Sequence, residues 1–352
     1  MIAPPPPPRP RTRFELPAEL EAALPPERRG LARDGVRLLV ASPSGLSHHH
    51  FADLPGLLEA GDLVVVNTSA TLPAALTAQP AGGRATPVHV SGWLDASTWI
   101  VEVRRADNRG PDLGIQPHDV LQLPGGVTLT VAHAYPDPAR EMPRLWQMGV
   151  TPPTDPIAYL SQHGRPIAYT HVTTRVPLSD YQTVYADQPG SAEMVSAGRP
   201  FTTELLARLL AAGVTVAPLT LHAGVSSPEF QEPPAPERYS IPAHTASLVA
   251  ATRDAGKRVV AVGTTVVRAL ETVAGFDGHI GSGSGWTDLV LGPERPAHVV
   301  TGLVTGLHLP ESSHLLLLEA VAGPSLVHAA YAAAIETGYL WHEFGDSMLF
   351  LP

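Results

Sequence analysis

The run Lys257-Arg258-Val259-Val260-Ala261-Val262-Gly263-Thr264-Thr265-Val266-Val267-Arg268-Ala269-Leu270-Glu271 constrains the architecture more than any other stretch of the chain. The short apolar segment Val259 to Val262, bounded by basic side chains and a glycine, reads as a buried strand. Gly263 permits a tight turn, and Thr264 or Thr265 is placed to cap a helix carrying Val267, Leu270 and Glu271. A strand that runs straight into a helix leaves backbone N–H groups at the positive end of a helix dipole, pointing out of the sheet. A carboxylate or phosphate is well held there. An ordinary βα turn in an α/β core has the same pattern, so the run alone names no ligand.

The rest of the chain extends this reading. Strands are expected at Val36 to Ala41, Leu63 to Val66 and Val214 to Leu221, and helices at Ala18 to Ala23, Thr202 to Ala212, Ala243 to Ala255, Ser312 to Val321 and Leu326 to Thr337. Between them lies a segment of different texture. Pro87–Trp93, Trp99–Arg104, Val120–Leu123 and Val127–His133 are short runs with β-like alternation, separated by Gly-Gly, Asp-Asn and Pro-Gly-Gly, with no helical period. The expected fold is α/β: a mixed-sheet main domain with flanking helices, residues 14–75 and 151–352, and an inserted small antiparallel β-barrel or sandwich, residues 76–150. The stretch Pro136–Pro156 brings the chain back, and residues 1–13 read as a flexible Pro-rich arm.

Composition removes several functions. The 352 residues contain no cysteine, which excludes disulfides, thiolate metal sites and a Cys nucleophile, and agrees with a reducing, cytoplasmic setting. A net charge of −10 argues against a general electrostatic grip on nucleic acid. No apolar run approaches the roughly 20 residues of a membrane helix. There is no Walker loop, no GxGxxG after a strand and no Gly-x-Ser-x-Gly elbow. His48-His49-His50 lacks metal-site spacing and reads as a surface loop, and His342-Glu343 lacks the second His of a zinc-protease motif.

The polar residues most oddly placed among apolar neighbours are His222, Glu237, Arg268, Glu271, His308 and Asp346. His222 follows a strand, where polar groups commonly face the ligand crevice of an α/β sheet, and His308 stands at the entrance to a helix. Arg268 and Glu271, three apart on one helix face, suit an ion pair, and Glu319 is expected at the solvent edge of its helix.

Taken together, several segments resemble the S-adenosylmethionine:tRNA ribosyltransferase-isomerases of queuosine biosynthesis. The resemblance runs from Phe14-Glu15-Leu16-Pro17 to Gly345-Asp346-Ser347-Met348-Leu349. Its strongest pieces are Tyr181-Gln182-Thr183-Val184-Tyr185-Ala186, Gly190-Ser191, Ala197-Gly198, Phe201-Thr202, Thr220-Leu221-His222-Ala223-Gly224, Val262-Gly263-Thr264-Thr265 with Arg268 and Leu270-Glu271, and His308-Leu309-Pro310-Glu311-Ser312. It implies an α/β domain with an inserted barrel, and S-adenosylmethionine used as a ribosyl donor without a metal. In that chemistry the ribosyl moiety passes to the aminomethyl group of a 7-deazaguanine in tRNA, adenine and methionine leave, and an epoxycyclopentane forms. The reaction needs a base, an acid for adenine and an anion site for the methionine carboxylate. The resemblance suggests His222, Glu237, His308 and Asp346 for the chemistry. It suggests Asn67, Tyr181, Gln182, Ser191, Arg199, Gly263, Thr264, Thr265, Arg268 and Glu271 for binding.

The departures are specific. Where the family usually reads Asn-Asp-Thr-Arg-Val, this chain has Asn67-Thr68-Ser69-Ala70-Thr71. Where it reads Pro-Thr-Ala-Gly-Leu-His-Phe-Thr, it has Val195-Ser196-Ala197-Gly198-Arg199-Pro200-Phe201-Thr202. Met-His-Ser-Glu appears as Pro234-Ala235-Pro236-Glu237, Thr-Asn-Phe-His as Thr305-Gly306-Leu307-His308, and a Gly-Thr-Phe is replaced near Ser226-Ser227-Pro228. Glu193 and Arg199 are new charges in this region. With the low positive charge, these changes favour a small-molecule acceptor over tRNA. A genuine tRNA enzyme and a non-catalytic nucleoside- or RNA-binding paralogue are the alternatives.

Overall fold

The computed structural model describes residues 9–80, 83–168, 172, 174–226, 234–275, 278–341 and 343–352. Its centre is a nine-stranded mixed sheet, in spatial order Gly283–Thr287, Glu237–Ile241, Thr215–Leu221, Leu63–Asn67, Val259–Val262, Gly302–Gly306, Ser347–Phe350, Arg37–Ser42 and Gly45–His50. The four strands from Thr215–Leu221 to Gly302–Gly306 are parallel, and an antiparallel strand follows at each side. Val259–Val262 is wholly buried at its middle, as a continuous apolar run in a parallel core requires. Helices cover both faces. Val266, Val267, Ala269 and Leu270 of helix Thr264–Val273 pack on one, and Leu205 and Leu209 of helix Thr203–Ala211 on the other.

The inserted unit is a closed antiparallel barrel of Ala75–Pro80, Thr86–Asp95, Thr98–Val103, Val120–Gln122, Thr128–Tyr135 and Leu145–Thr151. Its last strand falls inside the Pro- and Asp-rich stretch taken as a mere return, because prolines on either side conceal the apolar face of Leu145, Trp146, Met148 and Val150. Barrel and sheet are stitched at Val225, whose carbonyl accepts from Arg144 Nη2 at 2.9 Å and whose amide donates to Ser91 Oγ at 2.9 Å.

Several local expectations are corrected. His48–His50 is not a loop but part of an edge strand, with His48 Nδ1 3.0 Å from the Tyr339 hydroxyl. Ala18–Leu20 is a single 3₁₀ turn, not a longer helix. Glu319 is buried, not at a solvent edge, because it accepts the amides of Arg11 and Thr12 at 3.1 and 2.7 Å. That clamp, with the Arg13–Glu311 ion pair, fixes the end of the expected flexible arm; residues 1–8 lie outside the described part. Arg268 and Glu271 make no pair with each other; each is buried with its own partners. Among the described residues no single helix is long and apolar enough to cross a membrane. The bent pair Ser313–Ala322 and Pro324–Glu336 packs its leucines and alanines into the core.

Candidate active site

Parallel strands leave their carboxyl ends on one edge of the sheet, and the loops that follow them there enclose a cavity of about 360 Å³ roofed by the barrel. Gly263, at the end of its strand, adopts φ 91°, a conformation open to glycine, and turns the chain into the helix. Gly263 itself occupies the cap position, so neither Thr264 nor Thr265 caps the helix with its side chain. Thr265 instead accepts from Asn67 Nδ2 at 3.1 Å. The amides of Thr264 and Thr265 therefore have no side-chain cap, while those of Gly263 and Val266 donate to the Val304 and Gly263 carbonyls, and Gly263, Thr264 and Thr265 all line the cavity.

Arg268 lies one turn further along. Its guanidinium donates to Glu237 Oε2, to the Thr287 carbonyl at 3.0 Å and to the Leu289 carbonyl at 3.1 Å. Glu237 Oε1 accepts the Gly224 amide at 2.9 Å. Burial raises the Glu237 pKa, while Arg268 and that amide act in the opposite sense. The result is a carboxylate held in one orientation but less acidic than a free one.

His308 follows the strand Gly302–Gly306. Its Nε2 lies 2.9 Å from Thr305 Oγ1, and its backbone is held by the Tyr331 hydroxyl and Trp341 Nε1 at 2.9 and 3.0 Å. Its ring stacks on His314, centroids 4.5 Å apart and nearly parallel. Burial, aided by Arg268, lowers the His314 pKa to about 4, so this partner is neutral at pH 7.

The barrel contributes His89, Arg104 and Arg144. Both arginines converge on the fully buried Glu102, at 2.7 and 3.1 Å. His89 is neutral, its pKa lowered to about 3 by burial and then by Arg104 and Arg165. The opposite wall carries Glu193, which accepts the Ser226 hydroxyl at 2.6 Å and amide at 3.1 Å. Burial pushes its carboxyl up to about 8; Glu343 and Glu102 act in the same direction and Ser226 against it.

Of the residues singled out in the sequence, Gly263, Thr264, Thr265, Arg268, Glu237 and His308 meet in this cavity. Glu193, noted as a new charge, joins them; the other candidates for catalysis and binding do not line it. His222 Nδ1 bonds Ser69 Oγ at 2.8 Å under Gly190, where a Cβ would stand 2.3 Å from that nitrogen, and burial lowers its pKa to about 4. It faces an adjoining groove. Ser191 Oγ bonds Ser69 Oγ and the Ala223 amide. Asn67 is 1% exposed and spends its side chain on Leu221, Ser69 and Thr265.

Gln182 exchanges both side-chain groups with the Thr71 backbone, and Tyr181 packs on Phe344. Glu271 accepts the amides of His298, Val299 and Val300. Asp346 is bound to Arg37 and the Leu340 amide. Arg199, 2% exposed, donates to Glu27 and the Asp180 carbonyl. Asp346 and Arg199 share a separate crevice of about 10 Å³, too small for a nucleoside. His342, Ser227 and Pro228 lie outside the described residues.

Sequence reading missed the barrel residues and His314. The available signal was an acid, Glu102, in the apolar run Trp99-Ile100-Val101-Glu102-Val103, opposite His89 in the strand register.

Comparison with known proteins follows the same outline. The family model described as queuosine biosynthesis protein matches residues 11–350. The S-adenosylmethionine:tRNA ribosyltransferase-isomerase of Natranaerobius thermophilus is 35% identical over 95% of this chain and 97% of its own length. That of Moorella thermoacetica is 36% identical over 96% and 98%. The crystal structure of S-adenosylmethionine tRNA ribosyltransferase from Thermotoga maritima superposes with a TM-score of 0.53 at 28% identity, covering 97% of this chain and 99% of that one. The substituted motifs suggested a small-molecule acceptor. These full-length relatives, each named for tRNA, lend that acceptor no support.

Proposed function

The chain belongs to the queuosine biosynthesis protein family, and from that premise we propose that it transfers the ribosyl moiety of S-adenosylmethionine to the aminomethyl group of a 7-deazaguanine in tRNA. Adenine and methionine leave, and the epoxycyclopentane forms. The observation that carries this reading is the single cavity at the strand ends. It joins an uncapped helix amino end, a raised-pKa carboxylate and a stacked histidine within a volume suited to a nucleoside.

The amides of Thr264 and Thr265 at the helix start receive the methionine carboxylate, where the helix dipole favours an anion. Arg268 spends three of its five N–H groups on Glu237 and two carbonyls, so its main part is to position the base. Glu237 takes a proton, from the acceptor amine or from the carbon beside the sulfonium. Burial, which raises its pKa, makes it a stronger base than a free carboxylate. His308, oriented through Thr305 and held against the neutral His314, supplies the hydrogen bond that lets adenine depart.

Incubation with S-adenosylmethionine, with and without tRNA carrying 7-aminomethyl-7-deazaguanine, followed by mass spectrometry of the nucleosides, tests the proposal. Epoxycyclopentane-modified tRNA with matching adenine and methionine is the expected result. Donor cleavage indifferent to the tRNA, or no cleavage, overturns it.

A further inference from the structure

Beside the cavity, on the far side of Gly224, Ala235 and Glu237, runs an open groove across the seam between barrel and sheet. Trp93 comes from the barrel strand Thr86–Asp95, and Trp286 from the outermost strand of the sheet. Arg238 stands between them. It is the register partner of Trp286, and its guanidinium lies 5.5 Å from the centre of the Trp93 ring. Trp286 is 45% exposed, unusual for the largest apolar side chain on an edge strand. A Cβ built on Gly92, which also lines the groove, would meet no atom within 4 Å outside its chain neighbours Ser91 and Trp93.

We propose that this groove is a stacking site for an unpaired base of the RNA strand, the neighbour of the base that enters the cavity. The proposal rests on the RNA-acceptor reading above and adds to it a place for a second nucleotide. Three observations favour this occupant. Two indoles offer π-faces, which take any base without reading its edge. One guanidinium lies between them, where a backbone phosphate or a second stacking plane is served, although the chain as a whole is acidic. The groove also shares Gly224, Ala235 and Glu237 with the cavity wall, so a strand with one nucleotide in the cavity has its next within reach. A base must be splayed from its loop to be modified, and holding its neighbour offsets the lost stacking.

The test uses the intact protein and a fluorescent RNA hairpin carrying 7-aminomethyl-7-deazaguanine in its loop, read by anisotropy, with S-adenosylmethionine binding followed by calorimetry. Trp286→Ala and Trp93→Ala should each weaken hairpin binding about 5- to 100-fold, the usual range for loss of one base stack. Trp286→Phe should restore most of it. Gly92→Leu adds bulk to the groove lining while leaving both indoles in place and should weaken binding similarly. Donor affinity should remain within about twofold in all four. A hairpin lacking the base on the correct side of the modified one should bind the wild type weakly and lose nothing further in Trp286→Ala. If the wild type binds the hairpin and Trp286→Ala, Trp93→Ala and Gly92→Leu bind it equally, the groove proposal falls and the RNA reading stands. If the wild type does not bind the hairpin, both fall.

Discussion

Asn67 Nδ2 donates to Thr265 Oγ1 across 3.1 Å, tying the end of one parallel strand to the first turn of the helix that follows its neighbour. The same side chain also serves the Leu221 carbonyl and accepts the amides of Leu221 and Ser69. One buried amide thus sets three strand ends around the anion-binding turn. Asn67→Ala is expected to lower stability by about 2–4 kcal/mol in urea unfolding, because it leaves several buried backbone groups unpaired. It should also weaken donor binding. Unchanged stability would mean that water replaces the amide without cost.

Arg268 and Glu237 should respond unequally to substitution. Glu237→Gln is expected to lower turnover by about 10²–10⁴-fold with a modest effect on stability. Arg268→Met leaves the carboxylate buried without its cation, which should cost about 3–5 kcal/mol. Since Arg268 holds the Glu237 pKa down, its removal should move the acid limb of the pH–rate profile to higher pH in whatever enzyme remains folded. An acid limb that does not move would assign the base elsewhere.

The buried His89 and the partly buried His222 and His314 set the acid side of the stability curve. The ordinary histidine value is 6.5, whereas His222 and His314 stand near 4 and His89 near 3, each mainly through burial. The unfolded chain therefore takes up these protons first. Their contribution is complete above about 6.5 and is lost as pH falls through 6.5 toward 4. Denaturation midpoints measured from pH 7 to 4 should flatten in His314→Gln and His222→Gln.

Glu193 acts in the opposite direction. Unfolded, it loses its proton near 4.5; in the cavity wall it keeps it to about 8. The native state binds the extra proton between those values, so stability from this group falls as pH rises from 4.5 to 8. Glu193→Gln should abolish that fall. A cationic ligand in the cavity should also draw the proton off. Calorimetry of S-adenosylmethionine binding at pH 7 in buffers of different ionisation enthalpy should report release in the wild type and none in Glu193→Gln.

The strand–turn–helix at Val259–Val273 and the helix Ala243–Asp254 are legible in the chain because local pattern and tertiary role agree. The two outer strands Glu237–Ile241 and Gly283–Thr287 are not, the first being polar, the second glycine-containing, and both defined by their pairing. The same divide holds at the site. Gly263, Thr264 and Thr265 follow from the turn itself. Glu271, Glu319 and Asp346 have the same residue type and apolar setting as Glu237, yet they clamp backbone amides, and nothing in the neighbouring sequence distinguishes the two uses. The barrel's Arg104 and Arg144 reach the cavity only through the docking of one unit on the other.

The order of strands in the sheet has a bearing on synthesis. The hairpin Arg37–His50 emerges from the ribosome early, but it joins the sheet only through Ser347–Phe350, which emerges more than three hundred residues later. Until that strand arrives, Gly302–Gly306 has an open edge beside the loop bearing His308. A chain halted before Ser347 therefore carries nearly every catalytic candidate on an unfinished sheet with exposed strand edges, a state prone to aggregate.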